Sequence, residues 1–180
     1  MPILGVLASA ISGHLENNSY ESIATVTVGS GGSSTITFSS IPSTYKHLQI
    51  RAMLLSTDVD LARFNGDTGS NYAFHGVRGG GSSASAYGNA STSSIQLGTN
   101  VPSSAIYPQI YILDILDYAS TTKYKTIRNL LGFDTNNTSA GQIEFSSGLW
   151  MNTAAITSLV FSNGAGHNQY SSYALYGIKG

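Results

Sequence analysis

Ala105-Ile106-Tyr107-Pro108-Gln109-Ile110-Tyr111-Ile112-Leu113-Asp114-Ile115-Leu116-Asp117-Tyr118 carries apolar residues almost without a break. A short run of this kind, rich in isoleucine and tyrosine, suits a strand covered on both sides. Tyr118-Ala119-Ser120-Thr121-Thr122 then reads as a turn. Lys123 to Phe133 follows, with Tyr124, Thr126 and Arg128 on one face and Ile127, Leu131 and Phe133 on the other. Alternation of period two is the strand signature, so the two runs predict a hairpin. No window of the chain sustains the 3.6-residue spacing of an amphipathic helix.

The same pattern extends toward the N-terminus. Ser22 to Val28 places Ala24, Val26 and Val28 on one face. Gly29-Ser30-Gly31-Gly32 is a turn, and Ser34 to Phe38 brings Ile36 and Phe38 into register, so these segments predict a first hairpin. Ile41-Pro42-Ser43-Thr44-Tyr45 is a corner, because proline has no ladder donor. His47 to Leu55 alternates through Leu48, Ile50, Ala52 and Leu54. Leu61 to Phe64 is a short strand that stops at Asn65-Gly66, and Tyr72 to Val77 is another. Gly79 to Ser94 holds little beyond Gly, Ser, Ala and Thr around Tyr87, and is read as a surface loop, with a short strand from Ser94 to Leu97. Toward the C-terminus, Gly141 to Trp150, Ala154 to Phe161 and Tyr170 to Ile178 supply three more strands. Roughly ten short strands with regular turn punctuation predict an all-β fold, a jelly-roll-like antiparallel β-sandwich. The domain organisation expected is an extended N-terminal arm, 1–18, ahead of one sandwich domain, 19–180.

Composition narrows the function classes. The chain has 180 residues, enough for one domain with a core, and no cysteine, so neither disulfides nor thiolate metal sites contribute. Charged residues make up 9% where about 25% is usual. With a net charge of −1 there is no field to draw in nucleic acid or an anionic membrane. No apolar run reaches the ~18 residues of a membrane span. Ser, Thr, Asn and the 11 tyrosines are cheap to dehydrate beside Lys or Glu, which leans toward protein contact. The opening Met1-Pro2-Ile3-Leu4-Gly5-Val6-Leu7-Ala8-Ser9-Ala10-Ile11 faintly resembles a secretion signal. It lacks a leading Lys or Arg, so it is read instead as a docking arm whose contacts are Ile3, Leu4, Val6, Leu7, Ile11 and Leu15.

Chemical constellations are weak. His14, His47, His75 and His167 are scattered with no metal-ligand spacing. No G-x-S-x-G elbow is present. Asp58, Asp60 and Asp67 form a loose oxygen cluster without a calcium-loop pattern, and turn capping explains them equally well. Asp114 and Asp117 lie an odd number apart, which sends them to opposite faces of a strand and away from a glycosidase pairing. They are expected to pair with Lys123, Lys125 and Arg128 across the hairpin. Asn89-Ala90-Ser91 and Asn137-Thr138-Ser139 are read as chance glycosylation matches. No catalytic, cofactor or metal residue is assigned. Tyr72, Tyr87, Tyr107 and Trp150 remain candidates for a ring-stacking glycan or partner surface, each as readily core.

Several stretches carry a family resemblance. They are Met1 to Gly13, Tyr20-Glu21-Ser22-Ile23-Ala24-Thr25-Val26-Thr27-Val28-Gly29, and Phe38-Ser39-Ser40-Ile41-Pro42-Ser43-Thr44-Tyr45-Lys46-His47-Leu48-Gln49-Ile50-Arg51. Arg63 to Tyr72, Asp114-Ile115-Leu116-Asp117-Tyr118 and Tyr176-Gly177-Ile178-Lys179-Gly180 complete them. Together they resemble small bacteriophage virion structural proteins of the capsid-decoration or tail-fibre-like kind. That resemblance implies a non-enzymatic subunit of a particle, located on the head surface in preference to the tail. It implies contact with the major capsid protein or other virion proteins and a homo-oligomer, dimer or trimer, with no cofactor, nucleic acid or membrane. A tail-tip module binding a host glycan through the 79–100 region is the alternative, and a glycan-cleaving enzyme a distant third.

Overall fold

A computed structural model describes residues 19–81, 83–137 and 140–180. The arm and its expected contacts, Ile3 to Leu15, lie outside the described residues. Twelve strands follow one another: β1 (Tyr20–Thr27), β2 (Ser33–Phe38), β3 (His47–Leu54), β4 (Leu61–Phe64), β5 (Tyr72–Gly80), β6 (Ser83–Thr92), β7 (Ile95–Gln96), β8 (Gln109–Leu116), β9 (Lys125–Phe133), β10 (Gln142–Trp150), β11 (Leu159–His167) and β12 (Ser172–Ile178). The described residues contain no helix. An eight-stranded sheet runs β1-β12-β3-β8-β9-β10-β5-β6, and a four-stranded sheet runs β2-β11-β4-β7. The pairings within both are antiparallel. The fold is therefore the all-β sandwich that alternation predicts. Its large sheet alone has as many strands as a whole jelly roll, and the jelly-roll likeness stays an expectation.

The core lies between the sheets. Leu48, Ile50 and Leu54 of β3, Tyr111, Leu113 and Ile115 of β8, and Tyr173 and Leu175 of β12 meet Ile36, Phe38, Phe64, Leu159 and Phe161 of the small sheet. Aromatic rings mesh at the centre, with Phe64 edge-on to Trp150 at 5.6 Å and Phe161 tilted against Tyr173 at 5.5 Å. Such contacts add ~0.5–1.5 kcal/mol each beyond the burial itself.

Three expectations are corrected. β1 and β2 do not form a hairpin: β1 pairs with β12 and β2 with β11, in different sheets. The Gly29–Gly32 turn therefore carries the chain from one layer to the other, with Gly31 and Gly32 at φ values of 94° and 72° that suit glycine. The 79–94 segment is not a loop. Most of it is β6, ten residues paired with β5 and ending the large sheet. Its register is held by two close approaches. The Tyr87 ring lies over Gly76, its cross-strand partner, and the His75 ring lies over Gly88, its own. Finally, the 105–118 run is covered on one side only. β8 begins at Gln109, and Ile110, Ile112 and Leu116 face away from the small sheet.

Candidate functional site

The outward face of the large sheet is the candidate site. Strand register sets two adjacent rows across five strands. One runs Met53–Ile110–Gly132–Ile143–Gly79, the other Arg51–Ile112–Leu130–Phe145–Val77. Ile143 is 60% exposed, Ile110 and Val77 56%, and Phe145 50%, with Leu130, Ile112 and Met53 close behind. Hydrophobic side chains scattered singly on a surface need no explanation, but a contiguous patch marks a contact. Gly132 sits between Ile110 and Ile143 with no side chain, and the gap forms a groove of about 510 Å³ lined by Pro108, Ile110, Ile112, Leu130 and Ile143. A β-carbon at Gly132 would meet only the Gln142 carbonyl at 3.6 Å, so the small residue is not imposed by backbone crowding.

The next row along the face is polar: Gln49, Asp114, Arg128, Ser147 and His75. The Gln49 side-chain amide donates to Asp114 Oδ1 at 2.8 Å, and Arg51 Nε donates to Gln49 Oε1 at 2.9 Å. The Arg51 guanidinium also lies over the rings of Tyr20 and Tyr176, 5.7 and 5.4 Å from their centroids. The expected charge pairing holds in part. Asp117 receives Lys123 and, at 3.0 Å, Lys46, and these two ammonium groups hold its carboxyl down at about 2. Asp114 stands beside Arg128 in register. Lys125 does neither. It points inward, fully buried, and donates to the carbonyls of Lys123 and Thr153 at 2.9 and 3.1 Å.

The inward face gathers the ionisable groups that the sequence left scattered. Asp60 is buried and accepts from the hydroxyls of Tyr111 and Tyr173, each at 2.7 Å, from Asn163 Nδ2 at 3.2 Å and from His167 Nε2 at 3.0 Å. His167 Nδ1 faces the Ser33 carbonyl oxygen at 3.0 Å. A carbonyl and a carboxylate both accept, so two donors on the ring satisfy both. Burial works against the charged ring, but the bond to Asp60, its charge and the Ser33 carbonyl outweigh it and raise the His167 pKa. Burial, then the Asp60 charge, drives both phenols well above their ordinary value and keeps them donors. An acid beside a histidine has the members of a catalytic dyad, yet His167 is 0% and Asp60 2% exposed, so no substrate reaches them. No spacing signal linked Asp60 to His167, because 107 residues separate them.

Asp67 likewise acts as an internal acceptor. Trp150 Nε1 donates to it at 2.8 Å, with Asn71 and the Gly69 amide beside it, and these bonds hold its carboxyl below the usual value. Among the described residues no group of three or more His, Cys, Asp or Glu could hold a metal ion. Tyr72 and Trp150, read as stacking candidates, are instead core, lying nearly parallel to one another with centroids 6.3 Å apart. Tyr107 is half-buried in the loop before β8, and Tyr87 is half-buried over Gly76. Burial pushes the Tyr87 phenol up to about 12, with the Glu144 charge adding to it. The four candidates do not form one stacking surface.

A second concavity lies where the inner face of β5, β6 and β10 runs past the small sheet. This polar cleft of about 580 Å³ is lined by Arg78, Ser83, Ser85, Asn100, Gln142 and Pro102, among others. Arg78 donates to Ser85 Oγ at 2.8 Å and Thr99 Oγ1 at 2.7 Å. Below it, buried Glu144 Oε1 accepts from the Thr99 amide and hydroxyl, each at 3.0 Å, and from the Asn100 amide at 3.3 Å. Residues 97–100 are thus pinned across the strands. No described protein family and no curated protein matches the chain.

Proposed function

We propose that the chain is a bacteriophage virion structural protein, a decoration or cement subunit that stabilises the head through its N-terminal arm and symmetric contacts between copies. The observation that carries this reading is the apolar outward face of the large sheet. It sits on a molecule whose buried acid–histidine pair, Asp60 and His167, is sealed from solvent. That combination suits a part made to be touched by other subunits. The resemblance in sequence supplies the setting, and the arm supplies a tether: Ile3, Leu4, Val6, Leu7, Ile11 and Leu15 would add burial at ~25 cal/mol per Å². Repetition of a weak contact over a symmetric shell then strengthens the whole by avidity. The test is removal of residues 1–15. Loss of particle binding with an unchanged circular dichroism spectrum is the expected result, and retained binding refutes the arm.

The polar cleft favours a second reading, a tail-fibre or tail-tip module that grips a host glycan. Arg78, Asn100, Gln142 and Ser85 offer the hydrogen-bonding groups such a ligand needs. Copy number separates the two. Quantitative mass spectrometry of purified particles gives hundreds of copies for a head protein and a few dozen at most for a tail protein.

A further inference from the structure

We infer that the outward face of the large sheet is a self-complementary dimer interface, on which a second copy of this chain packs sheet against sheet. The inference deepens the structural-subunit reading by naming the surface and the occupant. It is tested on purified chain, so it stands or fails apart from incorporation into a particle.

Three observations select a second copy. The first is area. The exposed fractions of Met53, Val77, Ile110, Ile112, Leu130, Ile143 and Phe145 amount to roughly 600 Å² of apolar surface on one face, at the top of the ~300–600 Å² range for the largest patch on a typical monomer. With the flanking polar row it approaches the ~800 Å² that each partner contributes to a standard interface. The second is shape. The patch holds both a recess, the Gly132 groove, and projecting side chains beside it, Ile143 and Phe145. A two-fold axis through the patch lets the projections of each copy enter the recess of the other, which is how an isologous contact works. The third is charge. Within the two rows Arg51 is the sole ionised side chain, and it sits at the β3 end against two tyrosine rings. The carboxylates at the margin have partners in their own chain, Asp114 in the Gln49 amide and Asp134, beside the groove, in the Asn136 amide, and depletion of charge at the centre is what marks an interface core. Two such faces pack about 10 Å apart, as sandwich sheets do.

The measurement is sedimentation equilibrium of the full chain across micromolar concentrations, with three variants. Phe145→Glu places a charge in the middle of the patch. Gly132→Val fills the recess, and its β-carbon meets only ordinary contact, so it keeps the test open even if Phe145→Glu folds poorly. The third variant lacks residues 1–18. The expected result is a dimer whose dissociation constant rises about 100-fold or more with either face variant, as for a central hot spot, and which survives removal of the arm. A monomeric wild-type chain overturns the inference. So does a dimer indifferent to either face variant. A dimer lost with the arm also overturns it, because the arm would then be what covers the face.

Discussion

On β9 and β10 the two faces of the large sheet share out their residues unusually. Toward the small sheet β9 and β10 bury Lys125, Asn129, Glu144 and Ser146, and Asp60 and His167 sit between the layers. Toward solvent the same strands show Leu130, Ile143 and Phe145. The difference teaches that a polar side chain can share the core where partners are on hand. Asp60 has four donors around it and Lys125 two carbonyls, so each can stay dry. The described residues leave Leu130, Ile143 and Phe145 about half exposed.

The contrast can be broken most severely at Asp60. Asp60→Ala leaves two phenols, an amide and a buried imidazole without their acceptor. It should cost about 3–5 kcal/mol, the range for breaking a buried ionic partnership, read as a lower urea midpoint with an unchanged slope. A smaller effect follows from His167. Its pKa is raised on folding, so its stabilising contribution is complete below the unfolded value of ~6.5 and is lost as pH climbs through the folded value. The urea midpoint should therefore fall from mildly acidic to alkaline pH, and His167→Gln should flatten that dependence. A profile that rises over the same span contradicts the assignment of a charged ring. Least of all should be felt at the outward face. Phe145→Glu is expected to change monomer stability by no more than about 0.5 kcal/mol, as at an ordinary surface position, while it weakens association about 100-fold or more. A large loss of monomer stability would mean that the face is part of the fold after all.

Local pattern makes some of this legible in the sequence. β4 matches its expected bounds because Leu61–Phe64 is closed by Asn65-Gly66, where both residues have positive φ. β3 follows its alternation through Leu48, Ile50, Ala52 and Leu54. What local pattern could not supply was partnership. Proximity in sequence predicts a hairpin of β1 with β2, but sheet membership is decided by β12 and β11, well over a hundred residues away. β6 carries no apolar alternation, since an edge strand half outside the sandwich is held by main-chain bonds and by two rings over glycines. The continuous apolar run of β8 predicts double coverage, but hydropathy alone does not tell a face that is buried from one that is open, and Ile110, Ile112 and Leu116 are exposed. Nor does hydropathy decide whether Tyr72 and Trp150 belong to a binding surface or to the core. Their polar tips do find partners, but those are the Phe64 amide and the Asp67 carboxylate inside the fold.

The Tyr87–Gly76 and His75–Gly88 contacts carry a consequence for how this surface can change. They work as two detents, one on each side of the ribbon, and a slide of two residues would press Tyr87 against Phe74 or Arg78 instead of a bare backbone. Alignment of the hairpin thus depends on four positions. Ala84 and Ala86 take part in neither contact, so the outermost strand can take on new surface chemistry there over generations while staying in step with its neighbour.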